Sequence, residues 1–125
     1  KNHIVRACLE AIAYQTNDLV CAMKADTDMA INTILADGGA AQNKFLMQFQ
    51  ADISSTTVIC PESSEATALG AALLAGLAVG MWESTEEIAK ISINKTALSP
   101  AMHQAEKAKL LDGWKKAIAC TKAFI

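Results

Sequence analysis

A chain of 125 residues can hold one domain at most, and with 52% hydrophobic but only 5% aromatic residues its core must be built from Ala, Leu, Ile, Val and Met. A formal net charge of −2, with the eleven basic residues scattered except for Lys115-Lys116, offers no surface to nucleic acid or to anionic lipid. The four cysteines, Cys8, Cys21, Cys60 and Cys120, are far apart and form no Cys-x-x-Cys pair, which excludes the usual zinc and redox motifs and points to free thiols in a reducing, cytoplasmic compartment.

Residues 3–25 read as a helix with Ile4, Cys8, Ile12, Leu19 and Met23 near one face and Val5, Leu9, Thr16 and Val20 near another. Because Arg6 and Glu10 interrupt it, the N-terminal stretch is not a cleavable signal. So broad an apolar arc predicts cover on more than one side. A short strand over 33–36 leads into Asp37-Gly38-Gly39-Ala40-Ala41-Gln42-Asn43, and a helix follows over 42–53 with Phe45, Leu46, Phe49 and Ile53 inward. Thr56 to Cys60 form a second strand, which Pro61 ends. Ser63 or Ser64 caps a helix running to about Trp82.

That helix carries no charge from Ala66 to Trp82, and Ala72, Gly76 and Gly80 repeat small residues every fourth position. About half the run is Ala or Gly, and Glu65 and Glu83 bracket it without a basic flank, so a buried soluble helix is expected rather than a membrane span. A short helical piece over Glu86–Ile91, a polar connection over Ser92–Pro100 and a final helix from about Met102 to Ala123 complete the chain, the last with Leu110, Leu111, Trp114, Ala117 and Ile118 inward.

This alternation predicts an α/β fold in which the strands pair in parallel through right-handed crossovers. Two strands make a poor sheet, so one strand is expected to lack neighbours and the open edge to promote self-association, giving a homo-oligomer. The Gly38-Gly39 pair, placed between a strand and an amphipathic helix, is where such folds accept a nucleotide, because glycine permits positive φ and close approach of a ligand to the backbone. A purely structural turn has the same spacing. Asn43 offers an amide donor and acceptor one helical turn later, suited to a purine, a ribose or a helix cap. Asp37 either orders water near a metal-phosphate group or braces the turn. His3 and His103 lie in different helices, and Glu62 and Glu65 complement a helix dipole, so neither pair is assigned chemistry.

The stretches ILADGGAAQNKFLMQFQADI (34–53) and PESSEATALGAALLAGLAVGMW (61–82), with HIVRACLEAIAYQT (3–16), resemble the C-terminal ATPase-fold domain of the FGGY carbohydrate kinases. Within that family LMQFQADI and Gly113-Trp114-Lys115-Lys116-Ala117 resemble the members that phosphorylate glycerol. The sequence departs from the family pattern at Cys8, Gln42 and Ala66. The resemblance spans about the last quarter of such an enzyme and implies a partial actin-like, ribonuclease H-like ATPase domain over 1–82, a C-terminal helical extension over 83–125, and three strands that come before the first helix in complete domains. It further implies phosphoryl transfer from ATP to glycerol, with another polyol or sugar, or a non-catalytic α/β interaction fragment, as alternatives. Gly39 and Asn43 match the positions that contact the adenine nucleotide, and Gly38 and Ala40 line the loop. The catalytic base, the glycerol-binding residues, and the loops for phosphate and Mg2+ fall outside the matched quarter, so the 125-residue chain alone is expected to be inactive.

Overall fold

The computed structural model describes residues 1–27, 29–61, 66–89 and 95–124. The proposed capping serines, Ser63 and Ser64, and the acids Glu62 and Glu65 lie outside the described residues. In chain order come α1 (Asn2–Thr27), β1 (Thr33–Leu35), a 3-10 turn (Gly39–Gln42), α2 (Lys44–Ser54), β2 (Thr57–Pro61), α3 (Ala66–Ala78), α4 (Thr85–Ala89), β3 (Lys95–Leu98) and α5 (Gln104–Lys122).

Thr57, Val58 and Ile59 are β-branched and bounded by a turn, which favours a strand, and they pair in parallel with Thr33, Ile34 and Leu35. The ladder extends at both ends, with Thr57 N–H donating to Asn32 O at 3.0 Å and Ala36 N–H to Ile59 O at 2.9 Å. The other edge of β2 carries β3, antiparallel, with Val58 opposite Leu98 and Pro61 opposite Lys95. This third strand lies within the stretch expected to be a polar connection, so the sheet is mixed, in the order β1-β2-β3, and β1 is left at an edge. Pro61 closes β2 from inside it, which an X-Pro position at a strand end permits because only one ladder donor is lost.

Between α1, α2 and the sheet lies the core. Leu46, Ile53 and Val58 are almost wholly buried, and each contributes about 1.5–3 kcal/mol by removal from water. Helix α1 meets α2 through Ala13, Tyr14, Asn17 and Val20, a single i, i+1, i+4, i+7 stripe. The second covered face expected for α1 is not formed among the described residues: Ile4, Val5, Ile12, Leu19 and Met23 are all exposed. Phe45, expected inward, is also exposed, as is Ala117 on α5.

Helix α3, expected against the sheet, makes no extensive contact with the other described elements. It ends where Gly80 takes φ +79° and Met81 N–H donates to Gly76 O at 2.8 Å, a left-handed stop that glycine alone adopts without strain. One buried carboxylate secures the C-terminal part of the chain. Asp52, on α2, accepts from the N–H groups of Ala101 (2.6 Å) and Met102 (3.1 Å) and from Gln48 Nε2 (3.1 Å), while Gln48 also donates to Ser99 O at 3.0 Å.

Candidate functional site

The Gly38–Asn43 turn stands at the C-terminal end of β1, where open α/β sheets present loops to ligands. Gly38 takes φ +90° and ψ 179°, a conformation open to glycine and strained for any L side chain. Gly39 has no such requirement; positive φ falls on the first glycine of the pair, not the second. A Cβ built on either meets nothing within 4 Å, so the space above the turn is open. Ala41 is buried and anchors the turn, whereas Asp37, Gly39, Ala40, Gln42 and Asn43 are exposed.

Two internal bonds hold the turn: Ala41 N–H to Gly38 O at 3.0 Å and Asn43 N–H to Ala40 O at 3.1 Å. The N–H groups of Gly39 and Ala40 find no acceptor among the described residues. Asn43 is the N-cap of α2, its Oδ1 accepting from Leu46 N–H at 3.1 Å. The capping role weighed for this residue is therefore real, and it uses the amide oxygen. The Nδ2 donors stay available.

Beside Asn43 opens a cleft of about 330 Å³, lined by Asn2, Val5, Arg6, Leu9, Asn43 and Phe45. Sequence reading did not find this wall, because it is made by the first turns of α1 meeting the first turn of α2. The Arg6 guanidinium sits 5.1 Å from the Phe45 ring centroid and pairs through Nε with Glu10 Oε1 at 2.6 Å. That hydrogen bond and the charge of Glu10 push the Arg6 pKa up, so Arg6 is a fixed positive charge at the cleft. Phe45 stacks on Phe49 (5.8 Å), Phe49 meets Tyr14 edge-on (5.5 Å), and Tyr14 stacks on Trp114 (5.2 Å). The cleft wall is thus braced through to α5.

Asp37 is exposed at the start of the turn. No group of three or more His, Cys, Asp or Glu side chains suited to a metal ion occurs among the described residues. The four residues expected at the site, Gly38, Gly39, Ala40 and Asn43, lie on one loop, with Gly38 half-buried and the other three exposed. What the arrangement can do is hold a flat polar group against bare backbone with a side-chain amide at its edge.

Over residues 1–79 the chain matches the C-terminal domain of the FGGY family of carbohydrate kinases. It is 54% identical over 125 residues to a glycerol kinase of Clostridium botulinum (strain Eklund 17B, type B) and 50% identical over 124 residues to one of Staphylococcus haemolyticus, covering 99% of this chain in each case. The chain spans about a quarter (25%) of the length of these relatives. Among solved structures it is similar to a Plasmodium falciparum glycerol kinase with ADP, at a TM-score of 0.82 and 35% identity, covering 95% of this chain and 24% of that one. A ligand-bound xylulose kinase of Lactobacillus acidophilus shares the fold at a TM-score of 0.69 and 23% identity, covering 93% and 24% of the two chains.

Proposed function

Given that the chain belongs to the FGGY family of carbohydrate kinases, we propose that its Gly38–Asn43 turn forms the adenosine-facing wall of the nucleotide site in an enzyme that transfers a phosphoryl group from ATP to glycerol. The observation that carries this reading is a glycine turn at the C-terminal end of β1, bent at Gly38 (φ +90°), where the Gly39 and Ala40 N–H groups find no acceptor among the described residues. Gly39 and Ala40 present backbone to the ribose or purine, Gly38 supplies the left-handed bend, and Asn43 offers Nδ2 as a donor at the purine edge.

Support comes from the ADP in the Plasmodium relative and from the glycerol kinases that match nearly the whole chain. Mg2+, when bound with ATP, neutralises charge between the β- and γ-phosphates. We assign its ligands, the glycerol-binding residues and the proton-accepting base to parts of such enzymes outside the matched quarter. Residues 1–82 form part of the ATPase-fold domain in this reading, and 83–125 extend it, tied in by the pairing of β3 with β2. No described helix is long and apolar enough to cross a membrane. The free cysteines favour a cytoplasmic location, and the edge position of β1 favours a homo-oligomer.

Two measurements test the reading. Purified chain, free of host kinase, should form no glycerol 3-phosphate from ATP and glycerol, since positioning supplies most of the rate in phosphoryl transfer. Titration of ADP into a full-length family enzyme carrying this segment should show weaker binding for Gly39→Val with glycerol binding unchanged. Equal ADP affinity in the two proteins refutes the assignment of adenosine to this turn.

A further inference from the structure

Helix α1 is held on two sides and bare on a third. Ala13, Tyr14, Asn17 and Val20 pack toward α2, and α5 reaches Tyr14 and Asp18, with Tyr14 stacked on Trp114 and Trp114 Nε1 donating to Asp18 Oδ2 at 2.7 Å. At about 100° per residue, the remaining arc of the helix carries Ile4, Ile12, Leu19 and Met23, which are between 48% and 71% exposed. Cys8, also exposed, lies among them. The only charged side chains on this arc are Lys1 at one end and Asp26 at the other, both exposed.

We propose that this arc pairs with the same arc of a second copy, the two α1 helices lying antiparallel about a two-fold axis at the height of Ala13 and Tyr14. In that register Lys1 of each copy faces Asp26 of the other, so both ends of the pair are closed by opposite charges. Ile4 falls opposite Met23, and Cys8 opposite Leu19, so that each bulky branched side chain meets a smaller or more pliant one. The two Gln15 amides come within one turn of each other at the centre, a polar pair of the kind that fixes register.

Charge selects both the direction and the partner. A parallel pair would set Lys1 beside Lys1 and Asp26 beside Asp26, which repel. Opposite charges at equal distances from the centre single out a second copy over an unrelated partner, which would need no such symmetry. Each helix of 26 residues is about 39 Å long, and one helix on each side is a small interface, so the dimer exchanges with free monomer and Cys8 stays open to reagents there. The contact does not involve the β1 edge.

The test is sedimentation of the 125-residue chain over a range of concentrations, joined to site-specific linking. The native chain should dimerise. Asp26→Lys, which sets like charges against each other at both ends, should raise the dimer Kd roughly tenfold, and Lys1→Asp added to the same chain should restore it. An acid at the start of α1 and a base at its end both suit the helix dipole, so neither change weakens the helix itself. With Cys21→Ser and Cys120→Ser removing the other exposed thiols, Leu19→Cys should give, on mild oxidation, a dimer bonded between Cys8 and position 19. Met23→Cys in the same background lies one turn out of register and should bond to Cys8 roughly tenfold more slowly, because a disulfide needs closely placed Cα atoms. The pairing is overturned if the chain is monomeric, if a dimer forms whose Kd ignores Asp26→Lys, if Lys1→Asp fails to restore it, or if positions 19 and 23 bond to Cys8 equally fast. It is also overturned if, in a full-length family enzyme carrying this segment, Cys8 is closed to maleimide even in dilute monomer, which would mean that the rest of the polypeptide covers the arc.

Discussion

Replacing Asp52 with alanine should loosen the attachment of the whole C-terminal part of the chain. The carboxylate is 9% exposed and accepts from two backbone N–H groups across 49 and 50 residues of sequence, at 2.6 and 3.1 Å, besides the Gln48 amide. Hydrogen bonds to a charged acceptor contribute about 1.5–3 kcal/mol each, and removing the acceptor strands the donors. Ala101 is exposed and water can replace one partner, so the expected loss is about 3 kcal/mol rather than the full sum. An asparagine side chain in its place would keep one acceptor oxygen without the charge, and Asp52→Asn should therefore cost about half as much. Urea unfolding followed by tryptophan fluorescence gives both values, with the slope against urea checking that the transition stays two-state. A loss below about 1 kcal/mol for Asp52→Ala, or equal losses for the two variants, would refute the claim that this carboxylate ties residues 99–102 to α2.

Gly38→Ala should cost about 1 kcal/mol through its φ of +90°, whereas Gly39→Val should change stability by less than about 0.5 kcal/mol because its Cβ meets open space; thermal unfolding of the two variants reads this, and the reverse order would put the strain at the wrong glycine. Of the four thiols, Cys8, Cys21 and Cys120 should react at once with a chromogenic disulfide and Cys60 only on unfolding, since it alone is buried. Burial also pushes the Cys60 pKa above its ordinary 9.0. Because the folded state favours the neutral thiol, that stabilisation is complete below 9.0 and is lost as pH rises through the folded value. Urea midpoints measured on either side of that value should fall with pH less steeply for Cys60→Ala than for the native chain, and parallel falls would count against it.

Much of the frame was legible in the residues themselves. Thr57-Val58-Ile59 has the branching and length of a buried strand, and Gly38-Gly39 marks the turn before α2. Strand β3 was not legible, because Lys95-Thr96-Ala97-Leu98 puts only Leu98 against the core and owes its form to backbone bonds with β2. A half-exposed edge strand leaves little hydrophobic pattern to read. Phe45 misled for a different reason: it lies one turn from Phe49 and shares its stripe, yet the N-cap at Asn43 places it in the first turn, under Arg6 rather than in the core. Helix α1 shows the opposite failure, where the apolar pattern is broader than the packing among the described residues. The cleft beside Asn43 and the Asp52 clamp depend on residues distant in sequence, which no local spacing reveals.

Asn43 is the residue at which folding and binding are hardest to separate, since one side chain serves both. Its Oδ1 caps α2 through Leu46 N–H, and the Nδ2 donors are what the proposed purine site would use. Asn43→Ala removes both and should lower stability by about 1 kcal/mol, the usual worth of an N-cap. Asn43→Asp keeps the cap oxygen and adds a negative charge at the positive end of α2, so stability should be held or slightly raised. The same change turns a donor into a charged acceptor at the ligand edge. In a full-length family enzyme, then, Asn43→Asp should raise the ATP KM at least as much as Asn43→Ala while unfolding no earlier than the native protein. If Asn43→Asp instead binds ATP normally, the amide serves the helix alone, and the nucleotide reading of this loop would rest on the bare glycines without it.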